Sequence, residues 1–367
     1  MKVLLEEKEK IKRLFSYLFG VIPQRSPISI LSCILLRAET EFEAFATDLD
    51  VEMSVKMKGE IKEKGDICIE GENIRKVIEK AEYNKLKIDT SEDILTIGTE
   101  NGNFRWKTQP ISEYPDRSKV EEKTGCVIEL KELADAILKT DFSVSTERTR
   151  YALNGISVKL KGGVLEMAST DGRRLSIIKK RVERSKEDIE GIIIQIKAIK
   201  ILHQICSKEK DETIRLFFSN TYTGAETETT RMVSRNIEGQ FPDYESVIPN
   251  DCDKKFTANR TALYQAIVEG SLASERDSEA VTFDIDKNRA IISSHSVRGN
   301  EAVREIEGEY IGEKFKISFN PQYLLQPISV LNTETVTLAF KEKDSAALLY
   351  SLDEPDYKYV VMPLTMD

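Results

Sequence analysis

The strongest constraint on this chain is a recurrence at domain length. The stretch Val164-Leu165-Glu166-Met167-Ala168-Ser169-Thr170-Asp171-Gly172-Arg173-Arg174-Leu175-Ser176 reads as a strand, a polar turn at Thr-Asp-Gly and a second strand. An echo lies 123 residues earlier, at Glu43-Ala44-Phe45-Ala46-Thr47-Asp48-Leu49-Asp50-Val51, and another 123 residues later, from Ala290 through Ser293 to Val297. Helical spacing of apolar residues at 72–81, 197–206 and 320–331 keeps nearly the same interval, and Tyr114-Pro115-Asp116 returns as Phe241-Pro242-Asp243. Solenoid units run about 20–50 residues, so this period is that of a domain. The pattern predicts three similar α+β domains, over 1–122, 123–250 and 251–367.

Within each block the order of elements repeats. Helices are expected at 7–19, 72–81, 131–139, 197–206, 259–269 and 320–331. Hairpins are expected from 42–46 with 51–57 and from 164–169 with 174–180. Further strands are expected at 67–69, 85–90, 94–98, 103–108, 154–161, 213–218, 222–227, 230–236, 280–285, 289–294, 334–340 and 345–351. The polar stretches 117–125 and 249–255 read as linkers.

Composition excludes several classes. With 40% hydrophobic and 32% charged residues the chain suits a soluble globular protein rather than a disordered one. No apolar run is long enough to span a bilayer, and Glu6-Glu7 interrupts the amino terminus too soon for a signal peptide. Five scattered cysteines without a Cys-x-x-Cys pair suggest reduced thiols in a cytoplasm. There are only two histidines, His203 and His295, and no phosphate-binding glycine loop, metalloprotease helix, nucleophile elbow or zinc-spaced cysteine set. Asp48 and Asp50 read as turn formers rather than Mg²⁺ ligands. No catalytic residue, metal or cofactor is therefore expected.

Two further signals have two readings each. Net charge is −9, yet the helices carry Lys8, Lys10, Lys12, Arg13, Arg75, Lys76, Lys80, Lys131, Lys139, Lys197 and Lys200. Interleaved acids make each helix alone a solvated amphipathic face. If the helices shared one cavity, the same cations would meet phosphates without reading sequence. Separately, Leu175, Phe241-Pro242, Val247 and Val360-Val361-Met362-Pro363-Leu364 can meet where the second and third domains join. They form either a peptide groove or an ordinary interdomain core.

Several stretches resemble a known family. Thr170-Asp171-Gly172-Arg173-Arg174-Leu175, Phe241-Pro242-Asp243-Tyr244-Glu245-Ser246-Val247-Ile248-Pro249 and Tyr359-Val360-Val361-Met362-Pro363 are similar to signatures of the bacterial DNA polymerase III beta subunits, the sliding clamps. Thr47-Asp48-Leu49, Arg150-Tyr151-Ala152-Leu153-Asn154-Gly155 and the overall length extend the likeness over the whole chain. The resemblance implies the DNA clamp fold, each domain with two helices packed on antiparallel sheets. It further implies a ring-shaped head-to-tail homodimer with pseudo-sixfold symmetry. Such a ring encircles double-stranded DNA without sequence specificity and tethers the DNA polymerase III alpha subunit. It is handled by the clamp loader complex, serves other replication and repair proteins that carry a clamp-binding motif, and catalyses nothing.

By position, the resemblance assigns a partner-peptide pocket to Leu153, Thr170, Gly172, Arg173, Arg174, Leu175, Pro242, Val247, Val360, Met362, Pro363 and Leu364. DNA contact falls to Arg25, Arg150 and Tyr151, with Lys197 and Lys200 added from the helices, and dimer contact to Phe104, Trp106 and Leu272. Arg173 departs from the family's frequent histidine, Ser246 from its arginine, and the tail continues as Leu364-Thr365-Met366-Asp367. The competing classes are a three-domain peptide-binding scaffold that never encircles DNA, and an enzyme with unrecognised acid–base carboxylates.

Overall fold

The structure, a computed structural model, describes residues 1–147, 149–184, 187–274, 280–296 and 298–364. Packing gathers the chain into two compact units. The first comprises Met1–Ala134, Val182–Ile189 and Ile194–Asn236, the second Asp135–Arg181, Glu190–Ile193 and Ile237–Asp367. Both expected block boundaries fall inside a unit, and the middle block contributes to both.

The six helices form where apolar spacing placed them: α1 Lys8–Val21, α2 Gly71–Lys80, α3 Leu130–Leu138, α4 Ile196–Lys208, α5 Arg260–Gly270 and α6 Pro321–Val330. Their ends have local causes. Asn259 caps α5 by accepting from Ala262 N at 3.0 Å, and Asn320 caps α6 by accepting from Gln322 N at 2.9 Å, with Pro321 at the first helical position. Pro23 limits α1, because the residue before a proline leaves the helical region.

The first unit holds a five-stranded antiparallel sheet, ordered Glu60–Glu63, Lys2–Leu5, Leu86–Ser91, Ile94–Gly98, Asn103–Lys107, and a nine-stranded sheet. In that larger sheet Thr230–Arg235 pairs with Val51–Met57, so residues far apart in sequence share one ladder. α1 lays Ile11, Leu14, Phe15 and Leu18 against Phe42–Thr47 and Val51–Met57. Each such side chain contributes about 1.5–3 kcal/mol on burial. The second unit holds another nine-stranded sheet, including Gly155–Lys161, Val164–Thr170, Arg174–Arg181, Tyr357–Val361, Ala347–Tyr350 and Thr335–Phe340, and a four-stranded sheet with Glu301–Glu307 at one edge.

Three expectations need correction. The linkers are shorter than expected, because strands Thr124–Glu129 and Lys254–Asn259 begin inside them. Thr124 and Gly125 pair with Phe218 and Phe217, and Lys254 and Lys255 with Phe340 and Ala339, so ladder bonding outweighs polar composition. The strands Lys2–Leu5, Ile189–Gln195, Glu301–Glu307, Phe315–Phe319 and Tyr357–Val361 were not expected. Glu301–Glu307 lies at a sheet edge with most side chains exposed, which removes the apolar alternation that marks a strand. The later echo, at 290–297, is also out of phase. Ser293 sits within strand Arg289–His295, opposite Thr282 and Val303, and the turn follows later, where Ser296 N donates to Asn300 O at 2.9 Å. Val297 lies outside the described residues.

The turns at Thr47 and Thr170 share the same side-chain-to-backbone bonds. Thr47 Oγ1 accepts from Leu49 N at 3.0 Å, and Asp48 Oδ1 from Asp50 N at 3.1 Å and Val51 N at 2.7 Å. Thr170 Oγ1 accepts from Gly172 N at 3.0 Å, and Asp171 Oδ1 from Arg173 N at 2.9 Å and Arg174 N at 3.1 Å. Both turns carry a positive φ, +80° at Leu49 and +88° at Gly172. A leucine there bears about 1–2 kcal/mol of strain that glycine avoids. Even the next strand repeats, Arg235 N donating to Asp50 O at 2.8 Å and Met362 N to Arg173 O at 2.9 Å.

Candidate functional site

The second copy of the turn borders a cavity of about 200 Å³, within the second unit. Strand register creates it. Leu175 pairs opposite Thr170 on one side and Val360 on the other, and Val360 in turn faces Leu348. Alternation puts Leu175 and Ile177 on one face with Ala168 and Val360, under Tyr244, with Phe241, Ile248, Ala346 and Leu348 packed alongside. Leu175 and Val360 are 3% and 4% exposed and make the floor, whereas Val247 and Met362 stand 54% and 45% exposed. A concave apolar site with half-exposed hydrophobic groups around it suits an apolar ligand.

In the first copy the position of Leu175 is taken by Glu52. Its carboxylate accepts from Ser118 N at 3.0 Å and Ser118 Oγ at 2.6 Å, so the chain's own polar segment covers it. The turn is shared, and the apolar floor is not.

The turn beside the pocket is locked by arginines. Arg174, its side chain 10% exposed, donates to Asp171 Oδ2 at 3.0 Å, to Phe142 O at 2.6 Å and to Gln326 Oε1. Its guanidinium also lies 4.5 Å from the ring centre of Tyr323. Arg150 Nη1 donates to Asp171 O at 3.1 Å, and its Nε pairs with Glu147 at 3.2 Å. A Cβ on Gly172 would come within 2.7 Å of Arg150 Nη1, so the bare glycine leaves that guanidinium its place on the turn.

Tyr244 is fixed from beneath. Its hydroxyl donates to the Glu166 carboxylate, and Lys159 Nζ sits 4.4 Å from its ring centre. Burial, then the hydrogen bond to Glu166 and its charge, pushes the Tyr244 hydroxyl far above its ordinary range, so it remains a neutral donor. Burial pulls the Glu166 carboxyl up, but the Tyr244 hydroxyl and Lys179 at 3.1 Å outweigh it and hold it below its usual value.

Of the twelve residues assigned to the pocket by resemblance, Leu153, Thr170, Gly172, Arg173, Arg174, Leu175, Pro242, Val247, Val360 and Met362 line this one cavity. Pro363 and Leu364 lie past its wall; Leu364 N donates to Ser318 O at 2.8 Å, which carries the tail along Phe315–Phe319. Residues 365–367 lie outside the described residues. Asp243, Tyr244 and Ala346 complete the wall. The first two were within the Phe241–Pro249 signature, while Ala346 carried no signal of its own.

The helix cations divide. Arg25 and Lys200 are exposed in the first unit, and Tyr151 is 72% exposed in the second. Lys197 instead turns inward, donating to Val21 O at 2.6 Å and pairing with Asp48. Arg13 pairs with Glu209 at 3.3 Å, and Lys139, 3% exposed, is held between Asp135 and Glu354. Each of these three is paired with a carboxylate, as Arg150 is with Glu147, Lys8 with Glu82, and Arg75 and Lys76 with Glu72. Phe104 and Trp106 stack at 6.2 Å on the edge strand Asn103–Lys107, and Leu272, just past α5, is 76% exposed.

Among the described residues no group of three or more His, Cys, Asp or Glu could hold a metal, and no helix is long and apolar enough to cross a membrane. What fold and site define is a repeated α+β chain with an apolar pocket. Profiles of the DNA polymerase III beta subunit match it in three pieces: the N-terminal domain over 1–118, the central domain over 127–243 and the C-terminal domain over 245–365. The beta sliding clamp of Caulobacter vibrioides is 30% identical over 99% of this chain and 100% of its own, and that of Pseudomonas aeruginosa 28% identical over 98% and 99%. A solved Pseudomonas aeruginosa sliding clamp bound to griselimycin superposes with a TM-score of 0.95 at 26% identity, covering 100% of both chains. The chain belongs to the DNA polymerase III beta subunit family, the sliding clamps of DNA replication.

Proposed function

We propose that this chain closes head to tail with a second copy into a ring that encircles double-stranded DNA, acting as the processivity factor of its replicative polymerase. The observation that carries the ring is a pair of complementary sheet edges. Asn103–Lys107 ends one sheet and carries Arg105 and Lys107; Glu301–Glu307 ends another and carries Glu301, Glu305 and Glu307, its Arg304 being held by Glu269 at 3.0 Å. Pairing these edges between copies would bond both free ladders, match opposite charges and cover Phe104, Trp106, Leu272 and Val303. Two such contacts close a two-fold ring.

Arg25, Lys200, Arg150 and Tyr151 would meet the duplex through phosphates, which carry no sequence information and so permit sliding. The pocket would hold short apolar peptides of the DNA polymerase III alpha subunit, the clamp loader complex and other replication and repair proteins. Tethering then makes the polymerase–DNA encounter effectively intramolecular. In this reading the protein is a cytoplasmic accessory subunit without catalysis or cofactor. Primer extension on a primed single-stranded circle, with polymerase, clamp loader and ATP, tests it. The chain should lengthen the product made per binding event; unchanged product length would reject the reading.

A further inference from the structure

We propose that the seam between α1 and α4 is a proton-sensitive clasp, drawn tightest when the Glu209 carboxyl carries a proton. Both helices lie in the first unit, and their contacts run antiparallel. At one end Lys197, in the first turn of α4, donates to Val21 O at 2.6 Å and pairs with Asp48. Next along, a Cβ on Gly20 would stand 3.3 Å from Ile201 Cγ1, so the helices approach closely there. Further on, Lys208 Nζ donates to Ser16 Oγ at 3.2 Å. At the far end Arg13 Nη2 pairs at 3.3 Å with Glu209, the residue that follows α4.

The two ends are finished differently. Lys197 has a carbonyl and a carboxylate. At the other end Arg13 Nε, the Tyr17 hydroxyl, Glu209 Oε1 and Asp211 Oδ2 are sealed from solvent, with no hydrogen-bond partner among the described residues. Tyr17 is fully buried, and the Glu209 side chain is 2% exposed. Each such atom forfeits a bond that water would supply, so this end holds less firmly than its ion pair suggests.

Nor do the charges balance. Two carboxylates, Glu209 and Asp211, share one guanidinium. Tyr17, and Cys206 beside it, stay neutral: burial pushes both up, the thiol to about 12. Lys208 spends its charge at the exposed rim, on Ser16. One anion is left over where water is excluded. Burial, with the Asp211 charge, pushes the Glu209 carboxyl above its ordinary value against the pull of Arg13 and Tyr17. A carboxyl raised on folding contributes its stability below the unfolded value, about pH 4.3, and loses it as pH rises through the folded one. α1 belongs to the first block and α4 to the second, so the clasp sets how readily one block moves against the other.

Hydrogen exchange of the full chain tests this, read by mass spectrometry as protection factors in α1 and the last turns of α4. Glu209→Gln keeps the side chain's shape and imitates its protonated form. At pH 8 it should raise protection about fivefold over the parent. That gain should shrink as pH is lowered towards 5, where the parent carboxyl takes up its own proton. Asp211→Asn also removes the surplus anion and should protect at pH 8, whereas Arg13→Gln should lose protection there and recover it in acid. An ordinary salt bridge predicts the reverse for Glu209→Gln. Lower or unchanged protection in that variant at pH 8 overturns the proposal, and so does a gain that persists undiminished to pH 5.

Discussion

Replacing Arg174 by alanine should loosen the second unit and its pocket together. The side chain is 10% exposed and holds Asp171, Phe142 O and Gln326 at once, while lying 4.5 Å from the Tyr323 ring centre. Truncation leaves Asp171, 18% exposed, without its cation. Breaking a buried pair costs about 3–5 kcal/mol. Asp171 keeps two backbone donors and some solvent, so the lower end, about 3 kcal/mol, applies here. At about 1.4 kcal/mol per decade, backbone amides of strand Arg174–Arg181 should exchange hydrogen on the order of 100-fold faster. Exchange mass spectrometry is the suitable readout, because the single tryptophan, Trp106, lies in the first unit and is blind to this region. Arg174→Lys keeps the charge but loses the fork and the planar stack, so an intermediate effect, roughly tenfold, is expected. Exchange in Arg174→Ala within threefold of the parent would refute the assignment of Arg174 as the clamp of the turn.

Other perturbations test separate parts of the account. Lys139→Ala leaves Glu354 without its cation and Asp135 to Lys180 alone, and should cost about 3 kcal/mol in urea denaturation, with Glu354→Gln in the same chain recovering part of it. Burial raises the Asp135 carboxyl, but Lys139 and Lys180 outweigh it and hold the group below its usual value. Its stabilisation is therefore complete above about pH 4, the unfolded value, and lost as pH falls through the folded one. The urea midpoint should drop over that acid window in the parent and less steeply in Asp135→Asn. Trp106, half-buried on a sheet edge, should report association: its emission should shift to the red on dilution, and Trp106→Arg should sediment as a 41.7 kDa monomer. Ending the chain at Val361 removes Met362 and its bond to Arg173 O, so anisotropy should show peptide binding lost while sedimentation still shows the dimer.

Legibility in the sequence followed the strength of local signals. Helices were readable because Ile74, Val77 and Ile78 in α2, or Ile199, Leu202 and Ile205 in α4, carry the helical period on one buried face. The Thr47 and Thr170 turns were readable because Thr and Asp side chains bond the backbone within three residues. Edge strand Glu301–Glu307 was hidden by its exposed acids, and Thr124 and Lys254 by polar composition that only long-range pairing overrides. The pocket's apolar members could be grouped, but the choice between groove and plain core needed the exposure of Val247 and Met362. Nor could sequence separate the committed cations from the free ones. Lys197 and Lys200 sit three residues apart on α4, yet one is bonded to Asp48 and the other faces outward.

The central claim is topological: the protein holds DNA by surrounding it. After loading by the clamp loader and ATP onto a singly nicked circle, the labelled chain should co-elute with the DNA in gel filtration. Cutting the circle once should release it from the ends. Equal retention on the circle and on the linear product would contradict encirclement.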